Sequence, residues 1–275
     1  MVKLGVLMSV YKSDDPALFQ CAVDSVLTQK FTSPVEVRIY LGVDGPVPEH
    51  LRTVIESYSS EIYKLFWFER NRGLACVLNE LIHAREDETF FFRMDADDAS
   101  EPERFQRQIA HMQAHPYVDI LGTDILEVDD TTGMEQRVCF AKSPEDARSQ
   151  IVRHVPVAHP SVCFRATVFE KVSEYPLVHL NEDIAMWFQC MTAGLVFDNL
   201  HEPLYRFRIG HEFWRRRSVV KALNEFKVYT IGIWNLEKIT WKYIYPVARL
   251  MMRLAPAPLQ KMAYSSSLRH AKPRI

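Results

Sequence analysis

The strongest constraint on this chain is an alternation in its first hundred residues. Apolar, β-rich runs at Leu4–Val10, Val35–Val43, Leu65–Glu69 and Thr89–Met94 are separated by segments of helical spacing at Pro16–Thr28, Glu49–Tyr58 and Leu74–Ala84. Strand and helix in strict alternation predict βαβ units and a parallel sheet covered by helices. The punctuation agrees: Asp14 and Asp15 stand ready to cap a helix opened by Pro16, and Gly45-Pro46 breaks the run that ends at Asp44. Polar residues gather where the strands stop, at Ser9–Tyr11, Asp44, Arg70–Gly73 and Asp95–Asp98. Open α/β sheets bind ligands outside the carboxyl ends of their strands, so these four points predict one crevice.

The pattern loosens beyond Ser100. A helix is expected over Pro102–Ala114, apolar runs over Val118–Val128 and Gln136–Phe140, and a helix over Pro144–Val152. A short strand at Val162–Phe164 and a helix at Ala166–Val172 follow. Asn181-Glu182-Asp183 then opens a helix over Ile184–Ala193 that Gly194 ends. From Arg206 onward basic residues outnumber acidic ones, and the net charge of -2 over 275 residues hides that polarity. The near-neutral total gives no reason to expect nucleic-acid binding. Five scattered cysteines without a C-x-x-C pair suggest neither a disulfide framework nor a zinc site, which fits a reducing compartment. The apolar N-terminus is short and reads as a strand, not a signal peptide. No run reaches the roughly 18 apolar residues of a spanning helix, so any membrane contact is expected to be peripheral.

Phe90-Phe91-Phe92-Arg93-Met94-Asp95-Ala96-Asp97-Asp98 carries the most chemistry. A buried strand that ends in three carboxylates sets like charges against one another unless a cation compensates. Oxygen ligands alone suit Mg²⁺ or Mn²⁺ bridging to phosphates. Helix capping by Asp98 or Ser100, ahead of Pro102, is the competing explanation and accounts for one acid. Tyr11 at a strand end is also a packing residue, Asp44-Gly45 a common turn pair, and Asn181-Glu182-Asp183 a helix start with favourable acids.

Taken in order, Leu7-Met8-Ser9-Val10-Tyr11-Lys12, Asp24–Gln29, Asp44, Asn71-Arg72-Gly73-Leu74-Ala75 with Asn79, Asp95–Asp98 and Glu182-Asp183 resemble the motifs of the family 2 glycosyltransferases from about Lys3 to Arg208. The resemblance implies a GT-A fold: a Rossmann-like mixed α/β sheet flanked by helices, over residues 1–212. Residues 1–98 would be the nucleotide-binding half and 99–212 the acceptor half, with a basic, aromatic helical extension over 213–275. It implies inverting transfer of a hexose, galactose or glucose, from a UDP-sugar. The acceptor would be a polyprenyl-diphosphate-linked saccharide such as GlcNAc-diphosphoundecaprenol, at the cytoplasmic face of a bacterial inner membrane.

By the same resemblance Ser9, Tyr11, Asp44, Asn71 and Gly73 face the nucleotide, with Asp95 at the ribose or sugar. Asp97 and Asp95 hold Mn²⁺ or Mg²⁺, and His211 is a further candidate ligand. Asp98 lies behind them, and Arg206 or Arg208 clamps the diphosphate. Asp183 is the general base and Glu182 orients the acceptor, with His159 nearby. The Q-x-x-R-W sequence of polysaccharide synthases does not follow Leu204–His211. A nucleotidyltransferase remains an alternative, although Ser9–Ser13 lacks a glycine-rich phosphate loop, as does a noncatalytic sugar-nucleotide-binding or membrane scaffold. Residues 213–274 pair cations with aromatics, as an interfacial helix on anionic lipid does, and equally as a helix packed on the catalytic domain with its cations reaching to water.

Overall fold

The computed structural model describes residues 1–178, 180–209 and 219–255. The expected alternation is present. Strands β1 (Val2–Val10), β2 (Val35–Val43), β3 (Ile62–Trp67) and β4 (Phe90–Asp95) lie parallel in the order β3-β2-β1-β4, joined through helices α1 (Pro16–Leu27), α2 (Glu49–Ser57) and α3 (Leu74–His83). Asp15 caps α1, its carboxylate accepting from the amides of Ala17 and Leu18. Asp14 instead accepts from the Tyr11 amide at 2.8 Å and shapes the loop after β1. β3 begins at Ile62, three residues before the expected start, because its pairing with Ile39 opens the ladder there.

The two-residue period of the strands divides the hydrophobic residues between two cores. Val6, Met8, Ile39, Leu41, Phe92 and Met94 face one side with α1 and α2. Leu7, Tyr40 and Phe91 face the other with α3. A Cβ on Gly42 would stand 2.2 Å from Val77 Cγ1, so the bare backbone of β2 is what lets α3 lie against the sheet.

The second half turns the sheet mixed. β5 (Ala99–Ser100), α4 (Arg104–Ala114), β6 (Ile120–Asp129), β7 (Glu135–Val138), α5 (Pro144–Gln150), β8 (Cys163–Arg165), α6 (Val168–Lys171), α7 (Glu182–Thr192) and β9 (Phe197–Ile209) follow in order. β8 joins antiparallel to both β4 and β6, and β9 runs parallel to β6. Leu204–Ile209 therefore belongs to the final strand. Its pairing with β6 and β5 continues to Asp129 and Ala99.

The tail contributes α8 (Val219–Glu237) and α9 (Ile244–Leu254). α8 is part of the main body: Val228, Tyr229 and Ile233 join the core that α7 and α3 share. At Gly232 a Cβ would stand 2.2 Å from the Phe188 ring, which sets how closely α8 approaches α7. Arg249 and Arg253 of α9 turn inward, Arg249 to Glu225 at 2.9 Å and Arg253 to the same carboxylate at 3.0 Å. One turn apart, they form a single face clamped on α8, and the exposed side of the tail is mainly apolar. The expectation of cations reaching out to water fails for these two.

Candidate functional site

Register alone assembles the nucleotide end. Ser9 is paired with Gly42 on one side and Asp95 on the other, and the Asp44 amide donates to the Val10 carbonyl at 2.8 Å. The crevice read from four strand ends thus forms along one edge. Asp44 is buried, and its two carboxylate oxygens accept from the amides of Arg72 (2.6 Å) and Gly73 (2.9 Å), while Asn71 Nδ2 donates to its carbonyl at 3.3 Å. Asp44 thus fastens the Asn71–Gly73 loop over the end of β2.

Gly45 makes that seat possible. It has φ +88°, and a Cβ there would lie 2.6 Å from the Asn71 nitrogen. Gly45→Ala is expected to cost about 2 kcal/mol or more, from left-handed strain plus the displaced loop. UDP affinity should fall with it. Urea unfolding and UDP calorimetry on the same variant check both.

The acidic cluster divides by environment. Asp95 is half-buried and accepts from the Arg93 guanidinium, which is itself almost wholly enclosed on the same face of β4. Asp98 is buried: the Tyr205 hydroxyl donates to one oxygen at 2.9 Å and the Arg208 amide to the other at 2.8 Å. Burial, then the charges of Asp95 and Asp97, push its carboxyl well above the usual range. Asp98 is therefore a strut of the acidic turn. Neither it nor Ser100 caps a helix: α4 starts at Arg104, and Glu103 before it makes no side-chain cap bond.

Asp97 is half-buried at the tip of the turn. Among the described residues no three His, Cys, Asp or Glu side chains gather as a ready-made metal cage. Two half-buried carboxylates, Asp95 and Asp97, nonetheless fit the way Mg²⁺ and Mn²⁺ are held, by one or two carboxylates with substrate phosphates and water completing the shell. His211 lies outside the described residues.

Arg206 and Arg208 are not brought to the acids as clamps. Tyr205 and Phe207 take the face that packs inward, so the alternate arginines point away. Arg206 pairs with Glu101 and Glu135, and Arg208 with Asp130 at 3.2 Å.

The segment behind the cluster is held by α1. Ser25 Oγ accepts from the Ser100 amide at 3.1 Å. Gln29 donates to the Glu101 carbonyl at 2.8 Å and accepts from the Phe105 amide at 3.0 Å. Arg104, enclosed beneath, donates to Ser100 Oγ and to the carbonyls of Arg93 and Pro160, and burial lowers its pKa to about 10.

Glu182 and Asp183 are the first two residues of α7. A helix start by itself favours ionised acids, but here burial wins. The Asp183 carboxyl is pushed up to about 6 by burial and then by the neighbouring Glu182 charge. Burial raises Glu182 as well, opposed by the Lys221 and Arg93 cations and reinforced by Asp95. The charge of Asp95 thus reaches Glu182.

Aromatic residues pack together beside α7. His159 Nε2 meets the Tyr175 hydroxyl at 3.0 Å and stands edge-on to Trp187 at 5.8 Å. Burial, helped by Arg93, holds His159 well below its usual pKa, so the ring is neutral. The buried Arg93 Nε and Trp187 Nε1 have no hydrogen-bond partner among the described residues. Glu182→Gln removes the like charge beside Asp183, so the acid limb of kcat against pH is expected to move to lower pH. A full pH profile of the variant reads this directly.

Arg93, Tyr175, Tyr205 and Lys221 were not singled out from sequence. Arg93 had a signal: it sits two residues before Asp95 in an apolar strand, hence on the same face. Tyr175 had none of its own. It is placed by Asn79, which accepts from the Tyr175 amide at 2.7 Å and donates to its carbonyl at 3.0 Å across 96 residues.

This arrangement, a parallel half whose strands β2 and β4 end at acids and a mixed half with two further acids at the start of α7, is that of a sugar-nucleotide transferase. Residues 6–176 match the model of glycosyl transferase family 2, and the chain belongs to that family. An uncharacterized glycosyltransferase of Haemophilus influenzae is 30% identical over 98% of this chain and 100% of its own length. The Escherichia coli UDP-Gal:alpha-D-GlcNAc-diphosphoundecaprenol beta-1,3-galactosyltransferase is 28% identical over 97% of both chains. The amylovoran biosynthesis glycosyltransferase AmsE of Erwinia amylovora is 28% identical over 94% of this chain and 97% of its own.

Among solved structures, S. aureus TarS 1–349 in complex with UDP-GlcNAc superposes with a TM-score of 0.63 at 14% identity, covering 95% of this chain and 84% of that one. The mannosyltransferase PcManGT of Pyrobaculum calidifontis with GDP-Man and Mn²⁺ gives 0.60 at 12%, covering 95% and 78%. These two establish the fold. Family membership answers the nucleotidyltransferase alternative.

Proposed function

We propose that the chain transfers galactose or glucose from a UDP-sugar, with inversion, to a lipid-diphosphate-linked sugar such as GlcNAc-diphosphoundecaprenol during surface-polysaccharide synthesis. The observation that carries this reading is Asp183. It is a half-buried carboxyl raised to about 6 at the start of α7, and the charge of Asp95 reaches its neighbour Glu182. A base that is ionised at neutral pH yet still basic is suited to take the proton of an attacking hydroxyl. The E. coli relative named above for such a lipid-linked acceptor supports the substrate class.

In this reading the uridine lies along Ser9, Tyr11 and the Asp44-held loop Asn71–Gly73, and Asp95, steadied by Arg93, faces the ribose and sugar. The acceptor hydroxyl rests against Asp183, oriented by Glu182 over the His159–Tyr175 floor, and attacks the anomeric carbon from the face opposite the diphosphate. Asp97 and Asp95 hold Mn²⁺ or Mg²⁺, which when bound neutralises charge on the departing diphosphate.

The exposed apolar side of the tail, with Trp234, Ile239, Trp241, Ile244 and Met251, would rest in the interface of the cytoplasmic leaflet. Among the described residues no helix is long and apolar enough to cross a membrane. A screen of radiolabelled UDP-galactose and UDP-glucose against synthetic GlcNAc-diphospholipid, with and without Mn²⁺, tests the proposal. Label in the lipid fraction supports it, and label that stays in the nucleotide for both donors ends it.

A further inference from the structure

The acidic turn after β4 is closed by a hydroxyl from the final strand. Tyr205 is wholly buried on β9, where it pairs with Ser100 of β5. Its hydroxyl oxygen accepts from the Asp95 amide at 3.2 Å, and the same group donates to the Asp98 carboxylate at 2.9 Å. One side-chain atom, 110 residues from Asp95 and 107 from Asp98, thus joins the first and last residues of the turn. A hydroxyl can accept and donate at once, and both capacities are used here.

The turn needs such a tie. Three carboxylates within four residues repel one another, and that repulsion favours an open turn. Its buried residues give the rest of the molecule a hold: Ala96, Asp98 and Ser100 are buried and alternate with half-buried Asp95 and Asp97. Besides the Tyr205 bond, Asp98 accepts from the Arg208 amide at 2.8 Å, and Ser100 Oγ accepts from Arg104 at 2.8 Å. The Arg104 guanidinium also stands over the Tyr205 ring, 4.9 Å from its centroid, and donates to the Arg93 carbonyl at 3.0 Å. The phenol therefore has a seat besides the turn it holds, and Asp95 and Asp97 lie on the half-buried side of a turn already closed.

We propose that Tyr205 is a positioning residue of the cation-binding turn: its hydroxyl ties the two ends together and so fixes Asp97 relative to Asp95 before a divalent cation arrives. The proposal rests on the reading of Asp95 and Asp97 as the cation's carboxylates. Groups behind a metal's ligands orient them, and their loss weakens metal binding by about 10- to 100-fold.

The test is calorimetric titration of the full chain with UDP, with and without Mn²⁺, for native and Tyr205→Phe. Phenylalanine keeps a ring against Arg104 and removes one oxygen. Mn²⁺ is expected to tighten UDP binding by the native chain, and that gain should shrink about tenfold or more in Tyr205→Phe. Without Mn²⁺ the two should bind UDP with the same affinity and stoichiometry. An equal gain in both overturns the role of Tyr205 and leaves the cation reading standing. A loss of metal-free UDP binding as large as the loss with Mn²⁺ makes Tyr205 a support of the fold alone and also overturns the proposal. If Mn²⁺ gives the native chain no gain, the cation reading falls and takes the proposal with it.

A second measurement needs no variant. In the metal-free native chain the Asp95 amide should exchange its hydrogen slowly, because Tyr205 accepts from it before any cation binds. Exchange of that amide at the rate of an unprotected one shows the turn open without the cation, and overturns the proposal.

Discussion

Asp183→Asn is expected to bind UDP as the native chain does and to lose on the order of 10³-fold in kcat, the range that a positioned general base contributes. The amide keeps the shape and the place at the start of α7 but cannot take a proton. Because the native carboxyl is raised to about 6, the native rate should climb as pH rises through 6 and level off above 7, as the base becomes ionised. The variant should show no such limb.

Stability should move the opposite way. A carboxyl whose folded pKa lies above its unfolded value of about 4 penalises the fold once pH exceeds 6, and that penalty vanishes below 4. Asp183→Asn should therefore unfold at higher temperature than the native chain at pH 8, and the difference should shrink toward pH 4. An active site that costs the fold free energy is the usual relation between function and stability. Turnover retained by the variant moves the base elsewhere, and calorimetry with UDP distinguishes lost chemistry from lost binding.

Asp97→Ala is expected to abolish metal-dependent transfer, by about 10²-fold or more, with an unchanged circular-dichroism spectrum. The three acids of the cluster are not equivalent. Arg93 engages Asp95, and Tyr205 with the Arg208 amide encloses Asp98, while Asp97 lies at the tip of the turn. Asp98→Ala is the contrasting case. It strips a buried hydroxyl and a half-buried amide of their acceptor, and should cost about 2 kcal/mol or more in urea unfolding. Full activity of Asp97→Ala over a Mn²⁺ titration would end its assignment as a cation ligand.

The parts of this molecule that were legible in sequence are those set by local pattern. β2 spans Val35–Val43 as its apolar, β-rich run indicated, and α3 starts after Gly73 where the strand-end loop stops. The convergence of Ser9, Asp44 and Asp95 followed as well, because parallel strands in register bring their carboxyl ends to one edge.

What escaped depends on partners far along the chain. Arg206 and Arg208 looked available for phosphate until β9 paired with β6 and committed their side chains to Glu101, Glu135 and Asp130. The basic tail read equally as an interfacial helix and as one packed on the catalytic domain with its cations reaching to water, yet Arg249 and Arg253 face a buried Glu225 that nothing near them in sequence announces. Tyr175 meets His159 in a position that Asn79 holds from 96 residues away, so the contact exists only in the folded chain.

Inversion by a single base opposite the leaving diphosphate is read most directly from the anomeric configuration of the product. With an α-configured UDP-hexose and GlcNAc-diphospholipid, the new linkage should be β in the proton coupling of the product's anomeric signal. An α-linked product would contradict the account.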